Sequence, residues 1–162
     1  MPATLHDTLP ALAQALQARG WMMATAESCT GGLIAAACTD LPGSSRWLER
    51  GFVTYSNAAK TEMLGVPAAL ITQHGAVSEP VARAMAEGAA ERAGVQASVA
   101  VTGVAGPDGG SADKPVGTVW FGWCVQGQVH TARMLFAGDR SAVRQQTRDH
   151  ALQQLLALVQ AQ

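Results

Sequence analysis

Apolar residues recur along the chain with the two periods that distinguish helices from strands. Three stretches have apolar positions spaced three and four residues apart, which predicts three helices that each bury one face. The first ends at Gly20, the second follows Ser78 as N-cap, and the last follows Asp139 as N-cap. Their predicted inner faces are Leu9, Leu12 and Leu16; Val81, Ala84, Met85, Gly88 and Ala89; and Leu152, Leu155, Leu156 and Val159.

Short apolar runs between these helices predict strands. The last two runs, Thr118 to Val125 and Gln128 to Phe136, are separated only by Gln126-Gly127, which predicts a hairpin. Because strands alternate with helices, the pattern predicts an α/β sandwich, and the hairpin makes its sheet mixed. The other predicted elements are strands over 21–26, 51–55 and 97–101, a helix from about Thr30, and a short helix over 57–64.

Size and composition limit the class of protein. A chain of 162 residues with 48% hydrophobic and 14% charged residues predicts one globular domain spanning 1–162. A net charge of -1 offers no electrostatic footprint, so neither nucleic acid nor a membrane is an expected partner. The sequence also lacks a signal-peptide pattern, a bilayer-length apolar run and any paired cysteine spacing, which together predict a cytoplasmic location.

The segment Ala26-Glu27-Ser28-Cys29-Thr30-Gly31-Gly32 lies between a predicted strand and a predicted helix. Two glycines in the first turn of a helix cost about 1 kcal/mol each relative to alanine, so their presence indicates a need for bare backbone. Free N–H groups of Thr30, Gly31 and Gly32 at a helix start would stabilise an oxyanion beside a nucleophilic Ser28. In the alternative interpretation Ser28 or Thr30 is a helix N-cap, and the local pattern leaves both open.

Lys60 occupies an unfavourable place for a lysine. Asn57 is a natural N-cap, which predicts Lys60 at the third position of a short helix, where the helix dipole disfavours a cation. That field and burial would both lower the pKa of the lysine, as a general base requires. The alternative is a solvated surface lysine. Tyr55, the only tyrosine, ends the strand that precedes this helix.

A glycine-rich loop follows the apolar strand over 97–101. Ligands bind at the carboxyl ends of strands in open α/β sheets, so this loop is a candidate for substrate binding. It matches neither a P-loop nor the dinucleotide fingerprint, which leaves a phosphate-cradling turn and a flexible connection as alternatives. The candidate substrate-binding residues are Thr102, Gly103, Gly106, Gly109 and Gly110 of this loop, with Arg140 and Arg144 from the start of the last helix.

The histidines and cysteines predict no metal site. The four histidines have no metal-ligand spacing, and no order of serine, histidine and acid indicates a triad. His74, directly before Gly75, is interpreted as the end of a helix.

Taken together, these segments resemble the CinA C-terminal domain family. The resemblance covers nearly the whole chain in order, and the segments around Ser28 and Gly106 are specific to that family. The matching segments are Ala26-Glu27-Ser28-Cys29-Thr30-Gly31-Gly32, Gly51-Phe52-Val53-Thr54-Tyr55-Ser56-Asn57, Gly75-Ala76-Val77-Ser78-Glu79, Gly106-Pro107-Asp108-Gly109-Gly110, Lys114-Pro115-Val116-Gly117-Thr118-Val119 and Gly138-Asp139-Arg140.

The resemblance implies a fold and a reaction. The fold is a three-layer α/β/α sandwich with a mixed, mostly parallel five-stranded sheet. The reaction is hydrolysis of the carboxamide of nicotinamide mononucleotide to nicotinate mononucleotide and ammonia, without metal or organic cofactor. The family's nucleophile falls on Ser28 and its dyad lysine on Lys60, and Tyr55 is implied as a further catalytic-site residue. The family also implies a possible homo-oligomer.

Two other functions compete with this expectation. One is an amidase that acts on a different carboxamide. The other is a nucleotide-binding regulatory module in which Ser28 and Lys60 bind phosphate without turnover. A Ser28 hydroxyl within about 2.6–3.2 Å of the Lys60 amine would favour catalysis, whereas side chains splayed around an anion site would favour the module.

Overall fold

The structure, a computed structural model, describes residues 4–162. Over this range helices alternate with strands until the final hairpin, as the apolar pattern predicts. In chain order the elements are α1 (Leu5–Arg19), β1 (Met23–Glu27), α2 (Leu33–Thr39), a 3-10 turn (Ser44–Arg46), β2 (Leu48–Val53), α3 (Asn57–Leu64), α4 (Ala68–His74), α5 (Glu79–Ala93), β3 (Ala97–Gly103), β4 (Thr118–Val125), β5 (Gln128–Leu135) and α6 (Arg140–Gln160).

The five strands form one mixed sheet in the order β2-β1-β3-β4-β5. β1 pairs in parallel with β2 and β3, while β4 is antiparallel to both β3 and β5. All strands except β4 therefore run in the same direction. The predicted mixed sheet is confirmed, and the hairpin turns at Gln126 and Gly127, both with positive φ, as an I′ turn requires.

Helices cover both faces of the sheet, which confirms the three-layer sandwich. Leucines of α1 and α6 pack with Ile34 of α2 on one face, while Leu64, Ile71 and Met85 of α3, α4 and α5 pack on the other. Side chains alternate between the two faces along each strand, as the period of two requires. On β3, Val99 and Val101 join the first cluster and Ala100 joins the second.

Several predicted boundaries need correction. The helix expected from about Thr30 begins at Leu33, because Gly31 and Gly32 have φ values of 59° and 113° and lie outside it. β2 starts at Leu48 instead of Gly51, and β3 continues through Gly103. Ser78 precedes α5 as predicted, but its hydroxyl donates to the carbonyl of Gly75 instead of capping the helix.

The seven-residue helix α4 was not predicted, because the short segment 68–74 has no clear apolar period. His74 is its last residue, which agrees with its interpretation as a helix end. The helix over 57–64 has the predicted bounds.

The parallel strands bring three segments of interest to one edge of the sheet. Ser28 follows the end of β1, Tyr55 follows the end of β2, and Gly103 ends β3. Since parallel strands end at the same edge, these residues come together there although they are far apart in sequence. Within residues 4–162, no helix combines the length and apolar character needed to cross a membrane.

Gly88 determines how closely α3 approaches the middle of α5. A Cβ atom at this position would lie 2.1 Å from the carbonyl oxygen of Leu64, the last residue of α3. No side chain therefore fits between the two helices unless their backbones separate. Because α3 also contains Lys60, the packing at Gly88 helps to set the position of that lysine.

We expect Gly88→Ala to destabilise the protein, although alanine favours helices by about 0.8–1.0 kcal/mol over glycine. Overpacking against the Leu64 carbonyl should outweigh this gain and lower the free energy of unfolding by about 1–3 kcal/mol. Urea unfolding measures the change. Glu87→Ala, at an exposed position of the same helix, is the control and should change stability by less than about 0.5 kcal/mol. An equally stable Gly88→Ala variant would contradict this account of the packing.

Candidate active site

A cavity of about 300 Å³ lies at the edge of the sheet where the parallel strands end. Its wall combines residues after β1 and β2, the start of α3, the glycine-rich loop and the start of α6. The lining residues are Ser28, Cys29, Tyr55, Asn57, Lys60, Ala76, Val77, Thr102, Gly103, Val104, Ala105, Gly106, Asp108, Gly109, Gly110 and Arg140.

Ser28 is held firmly on the floor of this cavity. Its backbone N–H donates to the carbonyl of Val101 on β3, and its own carbonyl accepts from the N–H of Gly31. The side chain is buried, with 8% of the residue exposed. The serine hydroxyl is therefore fixed by the sheet on one side and by a tight turn on the other.

Lys60 is the largest polar side chain buried in the structure, with 1% exposed. Its Nζ lies 3.2 Å from Ser28 Oγ and donates to the carbonyls of Thr54 at 3.0 Å and Tyr55 at 3.2 Å. No carboxylate pairs with it among the salt bridges of the described chain. Burial without a counter-charge lowers the pKa of Lys60 below its ordinary value of 10.5.

The three oxygens around Nζ define where the lone pair of a neutral amine points. A neutral amine has two N–H bonds and one lone pair, and the two carbonyls can only accept. Ser28 Oγ is the one neighbour with a proton to give. A neutral amine at this position would donate to Thr54 and Tyr55 and accept the Ser28 hydroxyl proton, an arrangement suited to a general base and its nucleophile.

Cys29 is a poor competitor for the role of nucleophile. Burial raises the pKa of its thiol to about 11, so the thiolate is scarce near neutral pH. Its backbone N–H, in contrast, donates to no other residue within residues 4–162 and follows directly after Ser28. The useful group of Cys29 for chemistry at Ser28 is therefore its backbone.

One position of the predicted lysine helix is corrected. Ser56, not Asn57, is the N-cap of α3, and its hydroxyl accepts from the N–H of Ala59. Lys60 is consequently the fourth residue of the helix instead of the third. Asn57 lines the cavity instead, and its side-chain amide makes no hydrogen bond within the described chain. The sequence is compatible with this N-cap, because a serine caps the start of a helix about as well as an asparagine does.

The predicted oxyanion donors do not line the cavity. The N–H of Gly31 is bonded to the Ser28 carbonyl, and the hydroxyl of Thr30 donates to Glu27. Gly31 and Gly32 have left-handed backbone conformations before α2, so they are not first-turn residues of a helix. Their backbone conformations form the sharp turn that follows Ser28.

The glycine-rich loop lines the cavity as predicted and presents backbone donors. The N–H groups of residues 105, 106, 108, 109 and 110 make no hydrogen bond within residues 4–162. Thr102 is also a lining residue, but its hydroxyl donates to the carbonyl of Ala76. Asp108, which sequence reasoning did not single out, places a carboxylate without a hydrogen-bond partner in the same wall.

The two predicted arginines have different places. Arg140 lines the cavity and donates to the carbonyl of Gly106 and the hydroxyl of Tyr55, which is 62% exposed at the mouth. Arg144 lies outside this cavity and donates to the carbonyls of Cys29 and Thr30. Arg144 therefore supports the turn after Ser28, and its expected role in substrate binding stays a prediction.

No group of three or more histidine, cysteine or acidic side chains within residues 4–162 is arranged to hold a metal ion. The three cysteines are buried and free. The chemistry described below uses only the side chains and backbone that line the cavity.

Known proteins resemble this chain over nearly its whole length. The family profile described as "CinA C-terminal domain" matches residues 6–159. The "Nicotinamide-nucleotide amidohydrolase PncC" of Enterobacter agglomerans is 56% identical over 94% of this chain and 93% of its own length. The protein of the same name from Escherichia coli (strain K12) is 57% identical over 88% of this chain and 87% of its own length.

A solved structure agrees with the fold. The crystal structure of a "Competence-Damaged Protein (CinA) Superfamily Protein" from Klebsiella pneumoniae superposes with a TM-score of 0.94. Its sequence is 40% identical, and the match covers 99% of this chain and 100% of the other. The predicted three-layer fold is thus also the fold of the relatives.

We expect the turn after Ser28 to reject alanine because of its backbone, not because of space. A Cβ at Gly31 or Gly32 would meet only ordinary contacts, at 3.6 and 3.8 Å. Left-handed backbone costs a non-glycine residue about 1–2 kcal/mol, and φ of 113° at Gly32 is less accessible still. In urea unfolding, Gly32→Ala should therefore lose more stability than Gly31→Ala.

Gly31→Asn is the matched control, since asparagine tolerates the left-handed region better than alanine. It should lose less stability than Gly31→Ala. If both alanine variants were as stable as the original protein, the turn would not need these backbone conformations.

Proposed function

This chain belongs to the CinA C-terminal domain family, and we propose that it deamidates nicotinamide mononucleotide with Ser28 as nucleophile and Lys60 as general base. The substrate follows from relatives named nicotinamide-nucleotide amidohydrolases, which match this chain at 56–57% identity over most of both lengths. The observation that carries the mechanism is the 3.2 Å distance between Lys60 Nζ and Ser28 Oγ at a buried site.

Acylation begins with transfer of the Ser28 proton to the Lys60 amine. Ser28 Oγ forms a bond to the carboxamide carbon, and the carbonyl oxygen becomes an oxyanion. The C–N bond then breaks, and the protonated Lys60 gives its proton to the departing amine, which leaves as ammonia. Ser28 is left as an ester of the nicotinate group.

Hydrolysis of this ester reverses the roles. Water attacks the ester carbon while Lys60 accepts a proton from it, and the ester C–O bond breaks. The proton returns from Lys60 to Ser28 Oγ, and the new carboxyl group releases the second proton of the water to solvent, so the nicotinate product leaves as a carboxylate. The dyad is restored without any other reactant.

The oxyanion requires a donor next to the nucleophile. The backbone N–H of Cys29 is adjacent to Ser28, in a residue that lines the cavity, and it donates to no other residue of the described chain. A donor of this kind typically contributes about 2.7–4 kcal/mol to the transition state. We assign this role to Cys29 in place of Thr30, Gly31 and Gly32, whose positions lie outside the cavity.

The cavity offers complementary groups to a pyridine mononucleotide. The phosphate would be bound by the N–H groups over 105–110 that make no hydrogen bond within the described chain. Arg140 has three further N–H donors that are not used in its bonds to Gly106 and Tyr55. The carboxylate of Asp108 and the amide of Asn57 suit hydroxyl and carboxamide groups. The positive charge of the pyridinium ring near Lys60 would further favour the neutral amine through like-charge repulsion.

The regulatory-module alternative is weaker on this geometry. A phosphate-binding lysine would present a protonated amine to the cavity, whereas the Lys60 amine is buried against two carbonyls and a serine hydroxyl. An amidase for another carboxamide shares the same dyad, so only the substrate distinguishes it. The product assay below separates these possibilities.

Ser28→Ala should abolish deamidation while the fold persists. The substitution removes the nucleophilic oxygen and one hydrogen-bond partner of Lys60, which costs about 1 kcal/mol of stability. Mass spectrometry would follow conversion of nicotinamide mononucleotide to nicotinate mononucleotide by the original protein and the variant. Retention of more than a few per cent of kcat would rule out Ser28 as nucleophile, and no conversion by the original protein would rule out this substrate.

Lys60→Met should lower kcat by about a hundredfold or more, the scale of general-base catalysis. Methionine has no lone pair of comparable basicity, so it cannot act as the base. Because it fills the buried space, the variant should remain folded. Lys114→Met is the matched control, because Lys114, the only other lysine, donates to the carbonyl of His74 outside the cavity. Loss of that charge should leave kcat unchanged. Near-normal turnover by Lys60→Met would refute the dyad.

The pH profile of the original protein gives an independent check. Only the neutral amine accepts the proton, so kcat/KM should fall as pH falls through the pKa of the dyad. Because burial lowers the pKa of Lys60, this acidic limb should lie below 10.5. A profile that levels only above that value would contradict a buried base.

A further inference from the structure

Glu27 is a buried carboxylate that the proposed mechanism does not use. It is fully buried, directly precedes Ser28 and lies outside the lining of the cavity. Among the residues that the structure describes, no arginine, lysine or histidine forms a salt bridge with it. A buried carboxylate without a counter-ion is costly for stability unless hydrogen bonds compensate for it.

The Glu27 carboxylate accepts hydrogen bonds from the turn after Ser28, from α2 and from its own strand. One oxygen accepts from the Thr30 hydroxyl at 2.6 Å and the Ile34 N–H at 2.9 Å. The other accepts from the Ala35 N–H at 3.0 Å and the Thr25 hydroxyl at 3.4 Å. Thus the carboxylate bonds both ends of the segment that contains the two left-handed glycines.

Glu27 also replaces the missing cap of α2. The N-cap position is Gly32, which has no side chain to accept from the first-turn N–H groups. An acidic group at a helix N-terminus is favourable because the exposed N–H groups and the helix dipole both attract it. Here that group comes from the preceding strand, so the helix start and the end of β1 are joined through one side chain.

From these contacts we infer that Glu27 is a positioning residue for the nucleophile, fixing the Ser28 turn against the start of α2 so that Ser28 Oγ stays aligned with the Lys60 amine. Arg144 of α6 donates to the carbonyls of Cys29 and Thr30, so Glu27 and Arg144 both hold this turn. The carboxylate makes no hydrogen bond to Lys60 and has no path to the reacting atoms except through the backbone. This inference rests on the proposed role of Ser28.

Glu27→Gln tests it with a side chain of the same shape. The amide keeps one acceptor, but its NH₂ group faces backbone or hydroxyl donors where the carboxylate oxygen accepted. Misplacement of the nucleophile by about 1 Å costs on the order of a hundredfold, so kcat should fall by about ten- to a hundredfold. KM should change little, since the substrate-binding loop is untouched. The acidic limb of kcat/KM should not move, because Glu27 does not bond Lys60.

Two comparisons distinguish positioning from general damage. Ser98→Ala removes a buried hydrogen bond to the Ala86 carbonyl at the far end of β3. It should lower the melting temperature about as much as Glu27→Gln does, but leave kcat unchanged. Thr30→Val removes only one of the four bonds to Glu27 and should lower kcat by a smaller factor. This second variant also serves if Glu27→Gln does not fold. The inference would be overturned if Glu27→Gln and Thr30→Val, or whichever of the two folds, kept full kcat.

Labelling of Ser28 by a fluorophosphonate separates this inference from the proposed substrate. Ser28 Oγ bonds to phosphorus and fluoride leaves, so the labelling rate reports nucleophile alignment without nicotinamide mononucleotide. We expect slower labelling of Glu27→Gln than of the original protein and Ser98→Ala. Equal labelling rates, or a shifted acidic limb of kcat/KM in Glu27→Gln, would overturn the positioning role. An unlabelled original protein would instead refute Ser28 as nucleophile.

Discussion

A lysine amine removed from water is the constraint on which the rest of the site depends. Burying an ammonium group is unfavourable, and here no carboxylate accompanies Lys60 to compensate. Two backbone carbonyls and one hydroxyl are the hydrogen-bond partners of the amine instead. In the proposed mechanism, a side chain that is costly for stability is useful for catalysis, because the same burial that penalises its charge favours a lone pair directed at Ser28.

Placing that amine requires precise packing of α3 on the sheet. Lys60 is on the fourth position of the helix, and the carbonyls that it bonds belong to residues 54 and 55, directly before the helix. The other end of α3 packs on Gly88, where no side chain separates Leu64 from α5. Local chain geometry thus orients the amine, while a contact between helices fixes its distance from the sheet.

Much of this arrangement could be predicted from the sequence, and the exceptions have physical reasons. The hairpin, the helix over 57–64 and the sites of Ser28 and Lys60 followed from periodicity, turn residues and family resemblance. The turn after Ser28 was misread, because a pair of glycines before an apolar run is compatible both with a helix start and with left-handed backbone. Likewise, the bond between Arg144 and two carbonyls joins residues over a hundred positions apart, which no local pattern reveals.

The alternation of side chains along β1 separates two ionisable groups that would otherwise interact. Glu27 points to the face covered by α2, whereas Lys60 approaches from α3 on the opposite face. A carboxylate beside the amine would stabilise its protonated form and raise its pKa, which would oppose the effect of burial. A shift of register by one residue would bring Glu27 to the α3 face and remove the cap of α2 at once. The position of Glu27 therefore serves both needs, since its carboxylate supports the turn that holds Ser28 while remaining on the far side of the sheet from the Lys60 amine.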